Sequence, residues 1–383
     1  MATQRRRGKG EGSITRLADG RWQARVDLGF EGGKRVRKAF YGKTRKEVQA
    51  KLMTALNDHQ RGLPLPNERQ TVGQFLTDWL ENTARHTLRP TTYDGYADLV
   101  HHHLVPVLGR VPLAKLTPQQ IAACYSDLLA KGLAPRTVQY AHAVLHRALD
   151  QAVRWNLVAR NPTDAVDAPR PQRKEITVFT AEQAQRFLDA AKDDRLHALY
   201  VLALMTGMRQ GELLGLRWQD VDLAAGSLSV RRTLVRTSQG WSWAEPKTAK
   251  GRRTIALSAL AVEALRQHRV RQLEERLRAG GLWDDLDLVF PNHIGKPLER
   301  QNVVKRSFRP LLARAGLPYI RFHDLRHSAA TLLLSLGEHP KVVQERLGHS
   351  TIGVTMDIYS HVLPDMQRNA ASKLDALFAA GAG

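Results

Sequence analysis

The spacing of apolar positions changes character along the chain. Near the start it has a two-residue period. From Trp22 onward, alternation places Trp22, Ala24, Val26 and Leu28 on one face and Gln23, Arg25 and Asp27 on the other. Ile14 to Leu17, Trp22 to Leu28 and Arg35 to Phe40 read as three short strands, with Asp19-Gly20 and Gly32-Gly33 as the turns between them. A helix is predicted from Thr44, because Glu47 stands three residues on in a capping-box pattern. Gly62, Pro64 and Pro66 then break the pattern.

Beyond them the period becomes helical. Thr71 is placed to cap a helix through Leu80, Thr117-Pro118-Gln119-Gln120 opens another, and Pro135 a third. In the third, Val138, Ala141, Leu145, Ala148, Leu149 and Ala152 recur every three or four residues. Residues 70–162 therefore read as a compact helical bundle. The run His101-His102-His103 reads as a partly exposed helical stretch, since adjacent residues do not share a helix face and so do not make a metal site. Asn161 to Lys174 holds Pro162, Pro169 and Pro171 and few large apolar residues, so it reads as extended, with the linker over 163–175.

The remainder is mixed and mainly helical. Thr180 and Gln183 repeat the capping pattern, and an apolar helix runs from Leu196 to Met205. Thr206-Gly207 breaks it, and a second helix begins near Arg209, which puts Glu212 one turn away on the same face. Leu228 to Val235 reads as a strand, and Trp241-Ser242-Trp243 and Arg253 to Leu257 complete a small antiparallel sheet with Lys247 at a turn. His323 and Arg326 share a helix face at i, i+3. The fold class is multidomain α+β: a small three-stranded sheet plus helix, a helical bundle, and a mixed, mainly α domain with a small antiparallel sheet.

Composition adds a partner. The 383 residues carry 58 Lys and Arg against 37 Asp and Glu, a formal charge of +21. Residues 1–69 and 170–383 each contribute a net of +10, and residues 70–169 only +1. An excess of this size implies a polyanion, either nucleic acid or an anionic membrane surface. One cysteine, Cys124, excludes an internal disulfide and a cysteine-only zinc site. The longest apolar run, Ala198 to Met205, is far short of the roughly 18 residues that a spanning helix needs. Arg5 to Lys9 leads into Gly12 and Ser13, unlike a secretory signal. The expectation is a cytoplasmic protein without a membrane partner, and the 42 Arg against 16 Lys suggest a GC-rich bacterial source.

A basic three-stranded sheet can enter the DNA major groove, which nominates Arg21, Gln23, Arg25, Arg35, Arg37 and Lys38 as contacts. The alternative is a solvated sheet that is merely basic. The polar starts Pro90-Thr91-Thr92 and Pro135-Arg136-Thr137 nominate Thr91, Arg136 and Thr137 as seats for phosphates at helix N-termini, or equally as ordinary caps.

Five short motifs follow in order. They are Thr-Gly-Met-Arg-Gln-Gly-Glu-Leu around Arg209, Pro-Lys-Thr around Lys247, His-Asp-Leu-Arg-His around Arg326, Leu-Gly-His-Ser at 347–350, and the segment of Tyr359. Together they resemble the tyrosine recombinases, or phage-type integrases, over residues 175–365. Each motif alone is weak, and the ordered set is specific. His323 and His327 also fit the spacing of a zinc-protease pair, but Asp324 stands where that motif has Glu and no third ligand follows at a recognised spacing.

The resemblance implies a site-specific DNA recombinase that needs no cofactor or metal. Tyr359 would be the nucleophile that forms a 3′-phosphotyrosine. Arg209 and Arg326 would hold the non-bridging oxygens, Lys247 (or its rival Lys250) would be the general acid, His323 would assist proton transfer and His349 would donate to phosphate. Glu212 would orient Arg209 or His323. The resemblance also implies an arm-type DNA-binding domain over 1–62, a core-binding domain over 70–162 and a catalytic domain over 176–383. It further implies double-stranded attachment sites of core and arm type and a homotetramer on DNA. A directionality factor and a DNA-bending host protein are possible partners. The stripe Leu374, Leu377 and Phe378 would dock on a neighbouring subunit. A type IB topoisomerase and a non-catalytic DNA-binding regulator are the alternatives.

Overall fold

In the computed structural model, the described residues are 12–31, 34–60, 69–172, 176–246, 251–353, 356, 371–372, 375 and 378. Backbone contacts divide the chain into two compact units, Met1–Gln172 and Arg173–Gly383.

The first unit begins with strands β1 (Ser13–Arg16), β2 (Trp22–Glu31) and β3 (Lys34–Gly42), antiparallel in that order, followed by helix α1 (Arg45–Gln60). The alternation in β2 has its expected consequence: Ala24 and Val26 are buried with Phe40 of β3 and with Val48, Leu52 and Ala55 of α1. Pairing of Ala24 with Phe40 and Val26 with Lys38 puts Lys38 on this same helix-covered face. Gln23, Arg25 and Asp27, opposite Tyr41, Ala39 and Arg37, form the other face. Glu47 accepts from the Lys43 amide, and Thr44 Oγ1 accepts from the Glu47 amide, which closes the start of α1.

Next come α2 (Val72–Trp79), α3 (Arg85–Thr87), α4 (Pro90–Leu99), α5 (Val105–Leu108), α6 (Pro118–Ala130) and α7 (Pro135–Arg154). Thr71 and Thr117 each make a full capping box, with Gln74 and Gln120 respectively. All six periodic residues of α7 are buried, packed with Phe75, Trp79, Val100, Leu104, Ile121 and Tyr125. His101 to His103 fall in a wider, π-type turn between α4 and α5, and His102 pairs with Asp98 at 2.9 Å. The expected linker starts later than its prolines suggested. Asn161 is buried, donates to Asp150 at 2.6 Å and to the His146 carbonyl, and caps a turn over Pro162–Ala165 in which Thr163 is also buried. These hydrogen bonds make residues 161–165 part of the bundle.

The second unit contains α8 (Ala181–Ala190), α9 (His197–Thr206), α10 (Gln210–Leu214), strands β4 (Val221–Asp222), β5 (Ser227–Val230), β6 (Thr233–Thr237), β7 (Gly240–Ala244) and β8 (Arg253–Ala256), and helices α11 (Ala259–Ala279), α12 (Arg300–Val303), α13 (Arg309–Arg314), α14 (Asp324–Ser335) and α15 (Pro340–Leu347). The apolar run forms α9, which is buried nearly all round in the largest core of the unit. Leu228 to Val235 is two strands rather than one. At Arg231-Arg232 the chain leaves the sheet β4-β5-β8, turning both guanidiniums toward buried Asp220, and β6 pairs with β7 instead. The stretch that carries Lys247 lies outside the described residues.

Two left-handed glycines set the position of the later elements. Gly207 ends α9 at φ +63° and Gly348 ends α15 at φ +68°. A side chain on Gly207 would overlap the Leu347 Cδ2 methyl, so α9 and the end of α15 approach closely there. Gly207→Ala is therefore expected to destabilise the second unit by about 1–3 kcal/mol, from left-handed strain plus overpacking. Chemical denaturation reads this as a lower midpoint, and an unchanged midpoint would contradict the contact.

Candidate active site

The site is assembled from backbone ends. Arg209 caps the start of α10, and Glu212, at its third residue, reaches back to accept from the Arg209 amide at 3.0 Å. Glu212 also accepts from Arg209 Nη1 at 2.9 Å, so the carboxylate holds both the backbone and the guanidinium of one residue. Arg326, two residues into α14, donates from Nη1 to the Gly207 carbonyl and from Nη2 to the Leu347 carbonyl, both at 2.7 Å. Arg209 Nη2 reaches the Gly348 carbonyl at 3.4 Å. Two guanidiniums thus converge on the C-terminal end of α15, where helix carbonyls lack internal partners and the helix dipole is negative. His349 follows directly, its carbonyl held by Gln344 Nε2 at 3.1 Å.

Exposure distinguishes the two arginines. The Arg326 side chain is buried, whereas that of Arg209 is 42% exposed and faces open space. Burial pushes Glu212 up, but Arg253, the Arg209 amide and the Arg209 guanidinium outweigh it and hold the carboxyl below its usual range. Burial, then Arg326 and Arg209, pushes His349 down to about 3. His323 stands at the start of α14 and is exposed. Desolvation by the surrounding cluster, then His327, Arg326 and Arg209, brings it down to about 4. Both imidazoles are therefore neutral at pH 7 in the free protein, each with one N–H to donate and one nitrogen to accept.

Arg209, Glu212, Arg326 and His349 are thus gathered in one place, and His323 is near enough for both arginines to depress it. Of the two partners that the sequence allowed Glu212, the one it contacts is Arg209. Lys247, its rival Lys250 and Tyr359 lie outside the described residues, as do Leu374 and Leu377 of the tail stripe, while Phe378 is exposed.

One member of this cluster escaped the sequence reading. Arg253, at the start of β8, has a buried side chain and donates from Nη2 to Glu212 at 3.0 Å and from Nε to the Arg346 carbonyl at 2.7 Å. A signal was present. Arg253 has the same strand parity as buried Ile255, so alternation already placed a charge on the inward face. A separate cluster, His146 with Asp150 and Asp164 in the bundle, also went unnoticed, and its ring nitrogens lie 3.3 and 3.0 Å from the two carboxylates.

The candidate DNA contacts are placed unequally. Arg25 is exposed on the open face of the sheet, beside Arg37, which lies 3.8 Å from Asp27. Gln23 is on that face but buried, donating to the Tyr41 hydroxyl at 2.6 Å. Arg21 is paired with Asp19 at 2.6 Å in the hairpin, Lys38 stands over the Phe40 ring on the helix-covered face, and the side chain of Arg35 lies outside the described residues. Thr91 is in the first turn of α4, and Arg136 and Thr137 are in the first turn of α7; neither helix has a side-chain cap. Arg136 donates to Gln139 and lies 5.1 Å over the Tyr140 ring.

Comparison with known proteins supports the same reading. The profile described as the phage integrase family matches residues 177–366, and that of the phage integrase N-terminal SAM-like domain matches residues 71–129. A "Tyrosine recombinase XerC-like" protein of Caldanaerobacter subterraneus subsp. tengcongensis is 34% identical over 91% of this chain and 94% of its own. An "Integrase" of Streptomyces ambofaciens is 34% identical over 100% of this chain and 99% of its own. Among solved structures, the Tn1549 transposon integrase in complex with transposon right end DNA is 25% identical, with a TM-score of 0.67 over 80% of this chain and 99% of that one. A lambda integrase tetramer bound to a Holliday junction is 20% identical, with a TM-score of 0.57 over 92% of this chain and 96% of that one, and so shares the fold. The ordered motifs, the paired arginines on one helix end and relatives aligned over nearly the whole length place the chain in the phage integrase family of tyrosine recombinases.

Proposed function

We propose that this site-specific DNA recombinase integrates or excises a mobile element by metal-free transesterification at the Arg209–Arg326 site, with Tyr359 as nucleophile. The observation that carries this reading is the pair of guanidiniums fixed on the end of α15, one buried and one open. A phosphodiester in flight needs its two non-bridging oxygens neutralised, and planar N–H forks match that geometry. Arg209 and Arg326 would supply this charge.

In the proposed step the Tyr359 oxygen attacks phosphorus, and the bond from phosphorus to the 5′-oxygen breaks. His323, neutral in the free protein, accepts the tyrosyl proton, and Lys247 gives one to the departing 5′-oxygen. His349, also neutral, donates its N–H to a non-bridging oxygen. The 3′-phosphotyrosine keeps the energy of the broken bond, so a 5′-hydroxyl attacking it rejoins the strands without ATP. Four protomers acting on two DNA sites would exchange strands in sequence. The named tetramer of lambda integrase on a Holliday junction supports that assembly.

The three regions divide the DNA work. The catalytic domain over 176–383 and the bundle over 70–162 take the core site, and the basic sheet over 1–62 takes arm sites. Arg25 and Arg37 on the open face support this last assignment. Residues 70–169 carry a net charge of only +1, so the grip of the bundle rests on local groups such as the uncapped starts of α4 and α7. A directionality factor and a DNA-bending host protein fit this scheme as accessory partners.

Three measurements follow. Tyr359→Phe is expected to bind a nicked core-site duplex normally and to form no covalent adduct on a denaturing gel; an adduct would overturn the nucleophile assignment. Cleavage by the native protein is expected to proceed at the same rate in excess EDTA, and a loss of tenfold or more would contradict a charge set made of side chains alone. Removal of residues 1–60 is expected to erase footprints at arm sites and leave those at the core, whereas unchanged footprints at both would refute the division of labour.

A further inference from the structure

We infer that Arg253 is a positioning residue for strand cleavage: it neutralises Glu212 and pins the end of α15, which leaves the charge of Arg209 available to the scissile phosphate. The inference rests on the reading of Arg209 as a phosphate-binding group.

Glu212 is buried, and an unpaired buried carboxylate is costly. If Arg209 were its only cation, the pair would sum to zero and the guanidinium would be committed to the carboxylate. Arg253 supplies a second, buried cation behind it, at 3.0 Å from Oε2 and 3.5 Å from Oε1. Glu212 and Arg253 then cancel, and Arg209 keeps a net positive charge on its open side.

Three consecutive carbonyls at the end of α15 each accept from a different guanidinium. Arg346 O accepts from Arg253 at 2.7 Å, Leu347 O from Arg326 at 2.7 Å and Gly348 O from Arg209 at 3.4 Å. Arg253 therefore holds the same helix end as the two phosphate-facing arginines. It is also tied to the Gly251 carbonyl at 3.1 Å, which relates that helix end to the start of β8. The chain continues from Gly348 into His349 and toward Tyr359, so this clamp bears on the elements that must meet at phosphorus. Arg253 acts through its neighbours, since its guanidinium is occupied by Glu212 and two carbonyls.

The test uses the full chain and a nicked duplex carrying the core site footprinted beside its own gene. Single-turnover cleavage is followed at saturating protein, and binding is measured separately. Arg253→Met is expected to slow cleavage by about 10–100-fold, as losses of supporting partners commonly do, with Kd for the duplex changed less than about threefold. Its rate should also fall off on the acid side at a higher pH than the native protein, because Glu212 has lost its main cation. Arg253→Met/Glu212→Gln should lack that acid limb and be no slower than the slower single variant. Arg253→Lys keeps the charge and removes the fork, so it guards against misfolding; its melting temperature should stay near native while cleavage slows.

A native rate in folded Arg253→Lys and Arg253→Met, multiplicative losses in the double variant, or losses confined to Kd would each overturn the inference. Tyr359→Phe runs alongside. If it cleaves, the reading of the site has failed, and if only the Arg253 variants behave as native, this inference alone has failed.

Discussion

The site depends on one constraint: the C-terminal end of a short helix cannot satisfy its own carbonyls. At α15 three arginines from three elements supply the missing donors. Arg209 comes from the start of α10, Arg253 from the start of β8 and Arg326 from the first turn of α14. Like charges gathered this closely would repel. The helix dipole and the buried carboxylate of Glu212 offset the repulsion, and an incoming phosphate would complete the compensation. With three guanidiniums and one carboxylate, the cluster is net positive.

The surrounding fold serves this arrangement. The largely apolar α9 provides a fixed floor, and Gly207 at its end gives up a carbonyl to Arg326. The same glycine lets Leu347 pack where any side chain would collide. Ser328 of α14 accepts from the Phe179 amide just before α8, which ties the helix that carries Arg326 to the first helix of the unit. The depressed imidazoles follow from the same crowding of positive charge. They arrive neutral, and an anionic substrate would raise both toward the range in which protons are exchanged.

Much of this was legible in the sequence, and for identifiable reasons. Thr71, Thr117 and Thr180 with their glutamines announce helix starts through a local hydrogen-bond pattern that needs no tertiary context. The alternation at Trp22 and the three-to-four spacing of α7 are local as well. The five motifs were read through their resemblance, in type and order, to those of the tyrosine recombinases. What stayed hidden was non-local. The break at Arg231-Arg232 depends on Asp220, buried in another turn. Asn161 looked like linker because its partners, His146 and Asp150, lie on α7. Gln23 looked like a surface group because Tyr41 covers it from the neighbouring strand. Arg253 looked like one more basic residue because its role rests on Glu212, 41 positions away.

The charge of +21 also takes on a more specific meaning. Its polyanion is DNA, and the guanidiniums of Arg209, Arg253 and Arg326 are gathered on the end of one helix rather than spread over a surface. The central claim is that the phosphate site is already formed before DNA arrives. The most direct measurement is a structure of the protein on a core half-site that retains its scissile phosphate. The account predicts Arg209 and Arg326 on the two non-bridging oxygens with their contacts to Glu212 and to the Gly348 and Leu347 carbonyls intact. A phosphate held by other groups, or arginines that must leave the end of α15 to reach it, would contradict the account.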